Sequence, residues 1–425
     1  MSKLLPSIKI PRHKNTEAMA IETMPVPAEV VILMSQHIGA PCKPIVKVGD
    51  AVKVGQLIGE SDAFVSAPIH SSVSGTVKAI DKCLTARGAE VDAVIITTDG
   101  LQTPDESVSP REINSREDLV AAAKACGLVG LGGAGFPTHA KLSVPEGSID
   151  TLLINGAECE PYITSDFRMI AENGKELLTG IELVLKHLGI PKAIIGIESE
   201  EGVATAKKLV EGKENISVQQ LKRAYPAGAE KVLIYETTGK VVEEGKLPKD
   251  VGIIVMNVGS VVKLADFIAT GMPLVDKVVT VDGAAVKEHK NVRVPIGTRI
   301  EDIVNFCGGY NGEPAAILLG GPMMGTSCRD DMVPLTKTNN ALLVFDAKEA
   351  ALAEETACIR CGRCMRTCPV SLNPAAIDRA YHAGDVERLK ELKVNICMEC
   401  GCCSYVCPAK RHLVVYNQMA KKMIR

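Results

Sequence analysis

Long apolar runs are missing from this 425-residue chain. The most extended, VGIIVMNVGSVV at 251–262, falls far short of the roughly 20 residues that cross a bilayer, so no segment is expected to span a membrane. Charge of one sign is equally scarce. The 48 Lys and Arg stand against 51 Asp and Glu, a net charge of −3, which supplies neither a basic field for nucleic acid nor a like-charged tail. The opening MSKLLPSIKIPRHK has charges but no apolar core of the kind a secretion signal requires, which argues against export and against a disulfide framework and places the chain in a reducing cytoplasm. Aromatics make up 3 %, and the eight histidines form no H-x-x-H or H-E-x-x-H group, leaving histidine-based metal sites without a foundation. What is plentiful is core-forming material, 46 % of the residues, enough for three or four domains, and cysteine, of which there are 15.

Nine of those cysteines crowd into CIRCGRCMRTCPV at 358–370 and CMECGCCSYVCPAK at 397–410. Cys358, Cys361, Cys364 and Cys368 recur at a constant offset of 39 residues as Cys397, Cys400, Cys403 and Cys407, and a proline follows the last of each set. Zinc takes four ligands from two C-x2-C pairs and leaves half of these thiols without a purpose. Three thiolates two residues apart suit three corners of a 4Fe4S cubane, and C-x2-C-x2-C-x3-C-P is the bacterial two-cluster ferredoxin pattern, in which the fourth cysteine ligates the other cluster. The expected ligand sets are therefore Cys358, Cys361, Cys364 and Cys407 for one cluster and Cys397, Cys400, Cys403 and Cys368 for the second. Cys402 breaks the repeat and reads as a packed spare thiol. The six scattered upstream cysteines read as small buried hydrophobes. Between the motifs, Asn373-Pro374 and Gly384-Asp385 predict two short helices, hence an α-helical ferredoxin domain.

Upstream, residues 40–80 are short Val/Ile-rich strands separated by Gly-Asp, Gly-Gln and Ser-Gly turns. They resemble the barrel-sandwich hybrid of lipoyl and biotinyl carriers, with Asp62-Ala63-Phe64 where those carriers have a modifiable lysine, so a scaffold or docking surface is expected here. After a Pro-rich joint, a helical run from about Ser115 breaks into Gly130-Leu-Gly132-Gly133-Ala-Gly135. This satisfies G-x-G-x-x-G, but a helix, not a strand, precedes it, so an ordinary dinucleotide fingerprint does not apply. The glycines still let backbone N–H groups approach a phosphate or a flat ring, and Lys141 lies near enough to add charge. Strand-like TLLINGAECEPYITSDFRM puts Asn155, Glu158 and Glu160 at a carboxyl-terminal strand end, where doubly wound sheets bind ligands. AYPAGAEKV adds Gly228 and Glu230, and IIVMNVGS ends a buried strand at Asn257. Each piece alone also fits a solvated loop; together they favour a flavin and nucleotide pocket.

In order, GLVGLGGAGFPTHAKL, INGAECEP, YPAGAEKV and VMNVGS resemble the NADH- and FMN-binding subunit of respiratory complex I, and VVTVDGAAVKEHKNVRVPIGTRIEDIVNFCGG at 278–309 resembles its β-grasp (SLBB) module. A second cluster motif and a carrier-like module in front are instead features of the C subunit of Rnf electron transport complexes, which the chain resembles from LLPSIKIPRHKN to the second motif. The resemblance implies a multidomain α/β protein: a barrel-sandwich hybrid over 1–112, a Rossmann-like FMN/NADH-binding domain over 113–272, an SLBB module over 273–340 and a two-cluster ferredoxin domain over 341–425. It implies an oxidoreductase subunit that holds FMN and two 4Fe4S clusters and exchanges hydride with NAD. Its place would be the cytoplasmic face of a membrane, beside integral-membrane and ferredoxin-like subunits that couple ferredoxin and NAD redox to ion translocation. Gly130, Gly132, Gly133 and Gly135 would admit flavin and nicotinamide, Lys141 would meet phosphate, and Asn155 and Asn257 would bond FMN. Glu158 and Glu160 would orient flavin and nucleotide hydroxyls, with Glu230 near NADH. No acid–base dyad is required, because hydride transfer depends on stacking and alignment. The rival readings are a non-catalytic iron–sulfur relay adaptor, which would hold no flavin, and a cobalamin-reductase-like flavoprotein, a family without this front β module.

Overall fold

The computed structural model describes residues 5–424. Alternating Val and Ile between turns build two small sheets from the first hundred residues. One is antiparallel, in the order Glu29–Leu33, Glu90–Thr98, Gly75–Leu84, Ala51–Val52; the other holds Lys43–Pro44, Leu57–Glu60 and Ile69–His70. Val30, Ile32 and Ile96 of the first share a core with Ile58 and Ile69 of the second. Helix Arg116–Ala125 starts at the expected serine: Ser115 accepts the Asp118 N–H, and the Asp118 carboxylate accepts the Ser115 N–H in return.

Four parallel strands follow, ordered Ile216–Gln220, Ala193–Ile197, Thr151–Gly156, Ile253–Asn257. They read as near-continuous apolar runs because both faces are covered. Leu152, Ile154 and Met256 pack with Ile181 and Val261 of helices Gly174–Leu188 and Val258–Thr270. Leu153, Ile253 and Val255 point the other way, against Leu233 of helix Glu230–Thr238. The chain runs outward from Thr151–Gly156 and then returns to its opposite side with Ile253–Asn257. This reversal opens a crevice beyond the carboxyl ends of those two strands.

A mixed six-stranded sheet comes next, ordered Ile21–Thr23, Lys290–Pro295, Asp276–Asp282, Ala341–Phe345, Ala316–Leu319, Thr326–Cys328, with helix Ile300–Phe306 packed on it through Ile300, Ile303 and Val304. Its membership departs from the sequence boundaries twice. Ala341–Phe345 is buried throughout and pairs with Thr280–Asp282, so the sheet continues past residue 340. Ile21–Thr23, from the amino-terminal region, pairs in parallel with Asn291–Arg293.

The cysteine-rich end is helical. Pro374–His382 is capped by Asn373 and Val386–Glu391 by Asp385, the two helices read from those dipeptides, and Leu413–Met423 closes the unit. Among the described residues, no helix is long and apolar enough to cross a membrane.

Candidate functional site

The Gly-rich loop lies over the crevice and is pinned from several sides. Leu131 N donates to Ser260 Oγ at 3.0 Å, and Ser260 Oγ donates to Val129 O at 3.1 Å, which fixes the loop on the first turn of helix Val258–Thr270. Buried Lys277 donates to the Leu131 carbonyl. From the amino-terminal module, Ile38 N donates to Gly135 O at 3.2 Å. The hairpin of Asp62-Ala63-Phe64 comes alongside, where His139 Nε2 meets the Phe64 carbonyl at 2.9 Å. The β module thus buttresses the loop at the place where a carrier would present its lysine.

The four glycines differ in what they permit. A Cβ on Gly132 would fall 2.4 Å from Asn257 Nδ2, and one on Gly135, whose φ is +71°, would fall 2.5 Å from Thr338 Cγ2. Gly130 has ordinary contacts, and Gly133 has nothing within 4 Å. The loop tip therefore offers bare backbone to open space, a cradle that suits a flat ring or a phosphate.

Asn155 and Asn257 are register partners. Asn155 Nδ2 donates to Gly228 O at 2.9 Å. Asn257 caps its helix by accepting the Gly259 N–H and donates to Asp166 Oδ2 at 2.6 Å. Lys141 Nζ donates to Val255 O at 2.8 Å and stands 3.5 Å from the Glu230 carboxylate. Glycine loop, both asparagines, Lys141 and Glu230 therefore meet around one crevice, and the amino end of a 13-residue helix opens on it, a setting that favours an anion. These residues fit FMN: N–H donors, amides, a cation and, at Gly133, a loop tip with no protein atom within 4 Å of an added Cβ.

Glu158 and Glu160 are employed differently from the sequence expectation. Both Glu158 oxygens accept backbone N–H groups, from Asp166 at 2.6 Å and Phe167 at 3.3 Å, at the start of helix Ser165–Glu172. Glu160 accepts from Met323 and Met324 at 3.0 and 2.9 Å, in a loop of the six-stranded sheet. Their carboxylates hold protein backbone where ligand hydroxyls were expected. Burial pushes Glu158 up to about 8 and Glu160 to about 7.

Sequence reasoning missed Lys14, Asp166 as a partner, Lys277 and Glu198. Lys14 donates to the carbonyls of Glu158, Glu160 and Ile163 and is the centre of an amino-terminal strap. In that strap, Ile8 and Tyr225 exchange backbone hydrogen bonds at 2.9 and 2.8 Å, and His13 stacks on Tyr162 at 4.8 Å. Burial lowers the Lys14 ammonium and pushes Lys277 down to about 8, beside the half-buried Asp166, whose carboxyl desolvation raises. No motif marks a lysine of this kind. Lys277 carries a weak signal, the one cation of strand Asp276–Asp282, directly before its apolar stretch.

The cluster cysteines sort into two groups. The Cys364 thiol feels Cys407 and Cys358 nearby, whereas Cys368 feels Cys400 and Cys397, and Cys403 feels Cys397, Cys400 and Cys368. One cavity is lined by Cys368, Cys397, Cys400 and Cys403 together. Cys368 thus lies beside the cysteines of the second motif, and Cys407 lies near Cys364 of the first. Among the described residues, no three His, Cys, Asp or Glu side chains converge tightly enough for a single metal ion. A cubane, whose corner ligands stand further apart than thiolates about one zinc, suits the spacing. Leu372 N and Glu399 N donate to Cys368 and Cys397 sulfurs at 3.3 and 3.4 Å, and Asn417 Nδ2 donates to Cys397 at 3.5 Å. Cys402 is buried with its thiol 4.0 Å from the Tyr225 carbonyl. Of the six upstream cysteines, Cys42, Cys126 and Cys307 are buried and Cys83, Cys159 and Cys328 half-buried.

The chain matches the RnfC barrel sandwich hybrid domain over residues 5–101, the Nuo51 FMN-binding domain over 123–266, the SLBB domain over 278–327 and a 4Fe-4S dicluster domain over 350–408. It is 41 % identical, over 86 % of its length and 81 % of the relative's, to the C subunit of the proton-translocating ferredoxin:NAD(+) oxidoreductase complex of Clostridium ljungdahlii. It is 39 % identical, over 86 % and 84 %, to the Na(+)-translocating counterpart of Acetobacterium woodii, and 38 % identical, over 88 % and 74 %, to the C subunit of the ion-translocating oxidoreductase complex of Rhodobacter capsulatus. Among solved structures, an NAD+-reducing NiFe hydrogenase in its air-oxidized state superposes with a TM-score of 0.51 at 19 % identity, covering 73 % of this chain and 63 % of that one, a likeness of fold.

Proposed function

The chain belongs to the C-subunit family of ion-translocating ferredoxin:NAD+ oxidoreductase complexes, and from that premise we propose how its geometry serves the reaction. It is a flavo-iron–sulfur subunit in the transfer of electrons between NAD(H), FMN and two 4Fe4S clusters. Bound FMN supplies the exchange between the two-electron hydride of nicotinamide and the single electrons that clusters accept. The chain's own residues hold the crevice in shape. Gly132 and Gly133 keep backbone clear for the ring, Asn155 and Asn257 fix the two strand ends, and Lys141 offers a cation for phosphate. Glu230 lies on the same rim, where it disfavours the 2′-phosphate of NADPH.

One observation carries the reading. Segment 225–230 joins crevice to clusters: Tyr225 is packed against Cys400 and Cys402, while three residues on, Gly228 receives the hydrogen bond of Asn155. The cluster of Cys368, Cys397, Cys400 and Cys403 therefore borders the flavin domain. Its companion lies further out, with Cys358 and Cys361 exposed. In this reading the partners are integral-membrane and ferredoxin-like subunits, met at the cytoplasmic face of the membrane.

The test is anaerobic reconstitution of the chain with iron, sulfide and FMN. NADH should be oxidised with ferricyanide as acceptor and preferred over NADPH by kcat/KM, and Glu230→Gln should narrow that preference by on the order of tenfold. A flavin-replete protein that leaves NADH untouched would overturn the assignment.

A further inference from the structure

The two cluster sites differ most in what surrounds them. Around the inner one, the acid of the motif, Glu399, is bonded to Lys421. Around the outer one, residues 356–377 contain Arg360, Arg363 and Arg366 and no Asp or Glu. These three arginines and Lys410 are exposed. The ion pairs among the described residues of this domain engage Arg388, Lys390, Lys393, Arg411, Lys421 and His382 instead. Arg363, Arg366 and Lys410 line a groove of about 380 Å³ with Tyr405 and the cluster ligand Cys407. Apolar side chains share this face: Ile359 is 66 % exposed, Met365 46 % and Tyr405 48 %.

We propose that this face, from Cys358 to Arg366 and from Tyr405 to Lys410, is the docking surface for an acidic protein carrying a one-electron iron–sulfur centre. The proposal rests on the redox function argued above and adds the surface and the charge of the partner. Unpaired exposed cations contribute little to internal stability, since water screens them, but their summed field steers a negative partner. Arg, Met and Tyr around a small apolar centre have the composition of protein interfaces. Exposed Cys358 and Cys361 bring the outer cluster to that surface. One electron crosses between the two centres, one oxidised as the other is reduced, with no bond made and no proton required. A face that served only to balance cluster charge would turn its cations inward, and it would have no use for three exposed apolar side chains.

The experiment uses the reconstituted full chain, with an acidic bacterial two-cluster ferredoxin as probe, by titration calorimetry at 50 and 300 mM salt. The native chain should bind, weakening at least tenfold at the higher salt. Arg363→Glu with Arg366→Glu should lose at least tenfold at low salt, with iron content, cluster paramagnetic resonance and NADH–ferricyanide rate unchanged. Arg360→Glu with Lys410→Glu serves as a second pair further from Cys364, and Arg388→Glu with Lys390→Glu, on another helix, should bind as the native chain does. Binding that is indifferent to salt and to both charge reversals would overturn the proposal. So would loss of iron in parallel with loss of binding in both pairs, or retention by phosphatidylglycerol vesicles in place of the ferredoxin. Loss of NADH oxidation by the native chain would instead strike the function on which the proposal rests.

Discussion

Asn155 and Asn257 lie directly across from one another on adjacent parallel strands, and each gives its amide to a different wall of the crevice. Asn155 bonds the Gly228 carbonyl and Asn257 the Asp166 carboxylate. Replacing Asn257 by Ala removes a helix cap, worth about 1 kcal/mol, and strands a buried carboxyl, a further ~1–3 kcal/mol. The variant should unfold at lower temperature by scanning calorimetry and retain less FMN after gel filtration.

The glycine loop permits a sharper comparison. Gly132→Val drives a side chain into the Asn257 amide, so both stability and flavin content should fall. Gly133→Val meets no protein atom within 4 Å; its melting temperature without cofactor should match the native value, while FMN binding, measured by fluorescence quenching, is abolished. Equal FMN affinity in Gly133→Val and native protein would exclude the loop as the flavin cradle.

Crossed ligation predicts a loss at a distance in sequence. A native preparation should hold about eight irons, two cubanes of four. Cys407→Ala should bring this to about four, removing the paramagnetic signal of the outer cluster of Cys358, Cys361 and Cys364. Survival of that signal with loss of the inner one would reverse the ligand sets.

Glu198 supplies a pH signature. It is 5 % exposed, follows strand Ala193–Ile197, and has one oxygen without a hydrogen-bond partner among the described residues. Burial raises its carboxyl to about 8, with Lys14 and Arg12 pulling it partly back. Because the folded value lies above the unfolded one, its contribution to stability is full below about pH 4.5 and is lost as pH rises through about 8. Glu198→Gln should therefore match the native chain in thermal unfolding at pH 5 and exceed it at pH 8.5. A constant difference between the two pH values would contradict this.

The ferredoxin motifs were legible because iron chemistry fixes cysteine spacing locally, and the inter-motif helices because Asn373 and Asp385 are caps whose effect is likewise local. The crevice was legible as strand ends carrying Asn155 and Asn257. The behaviour of Glu158 and Glu160 was not, since whether a carboxylate just beyond a strand faces a ligand or protein backbone depends on where later chain packs: Glu158 meets the helix start at Asp166, and Glu160 meets Met323, 163 residues away. The sheet boundary failed for a similar reason. Ala341–Phe345 is apolar enough for any core, and only pairing with Thr280–Asp282 assigns it to one.

The amino-terminal strap links residues made first to residues made late: Ile8 to Tyr225, Asn15 to Asp282, Ile21 to Asn291. On the ribosome, the four-stranded sheet can assemble once Asn257 has emerged, yet the loop that Lys14 grips cannot receive its full clamp until residue 291 follows. Closing loops of this length delays such contacts relative to local ones. Maturation of the flavin crevice is thereby tied to synthesis of more than two-thirds of the 425 residues, so a nascent chain stalled between residues 257 and 291 would carry the strand ends of the site without the clamp around them.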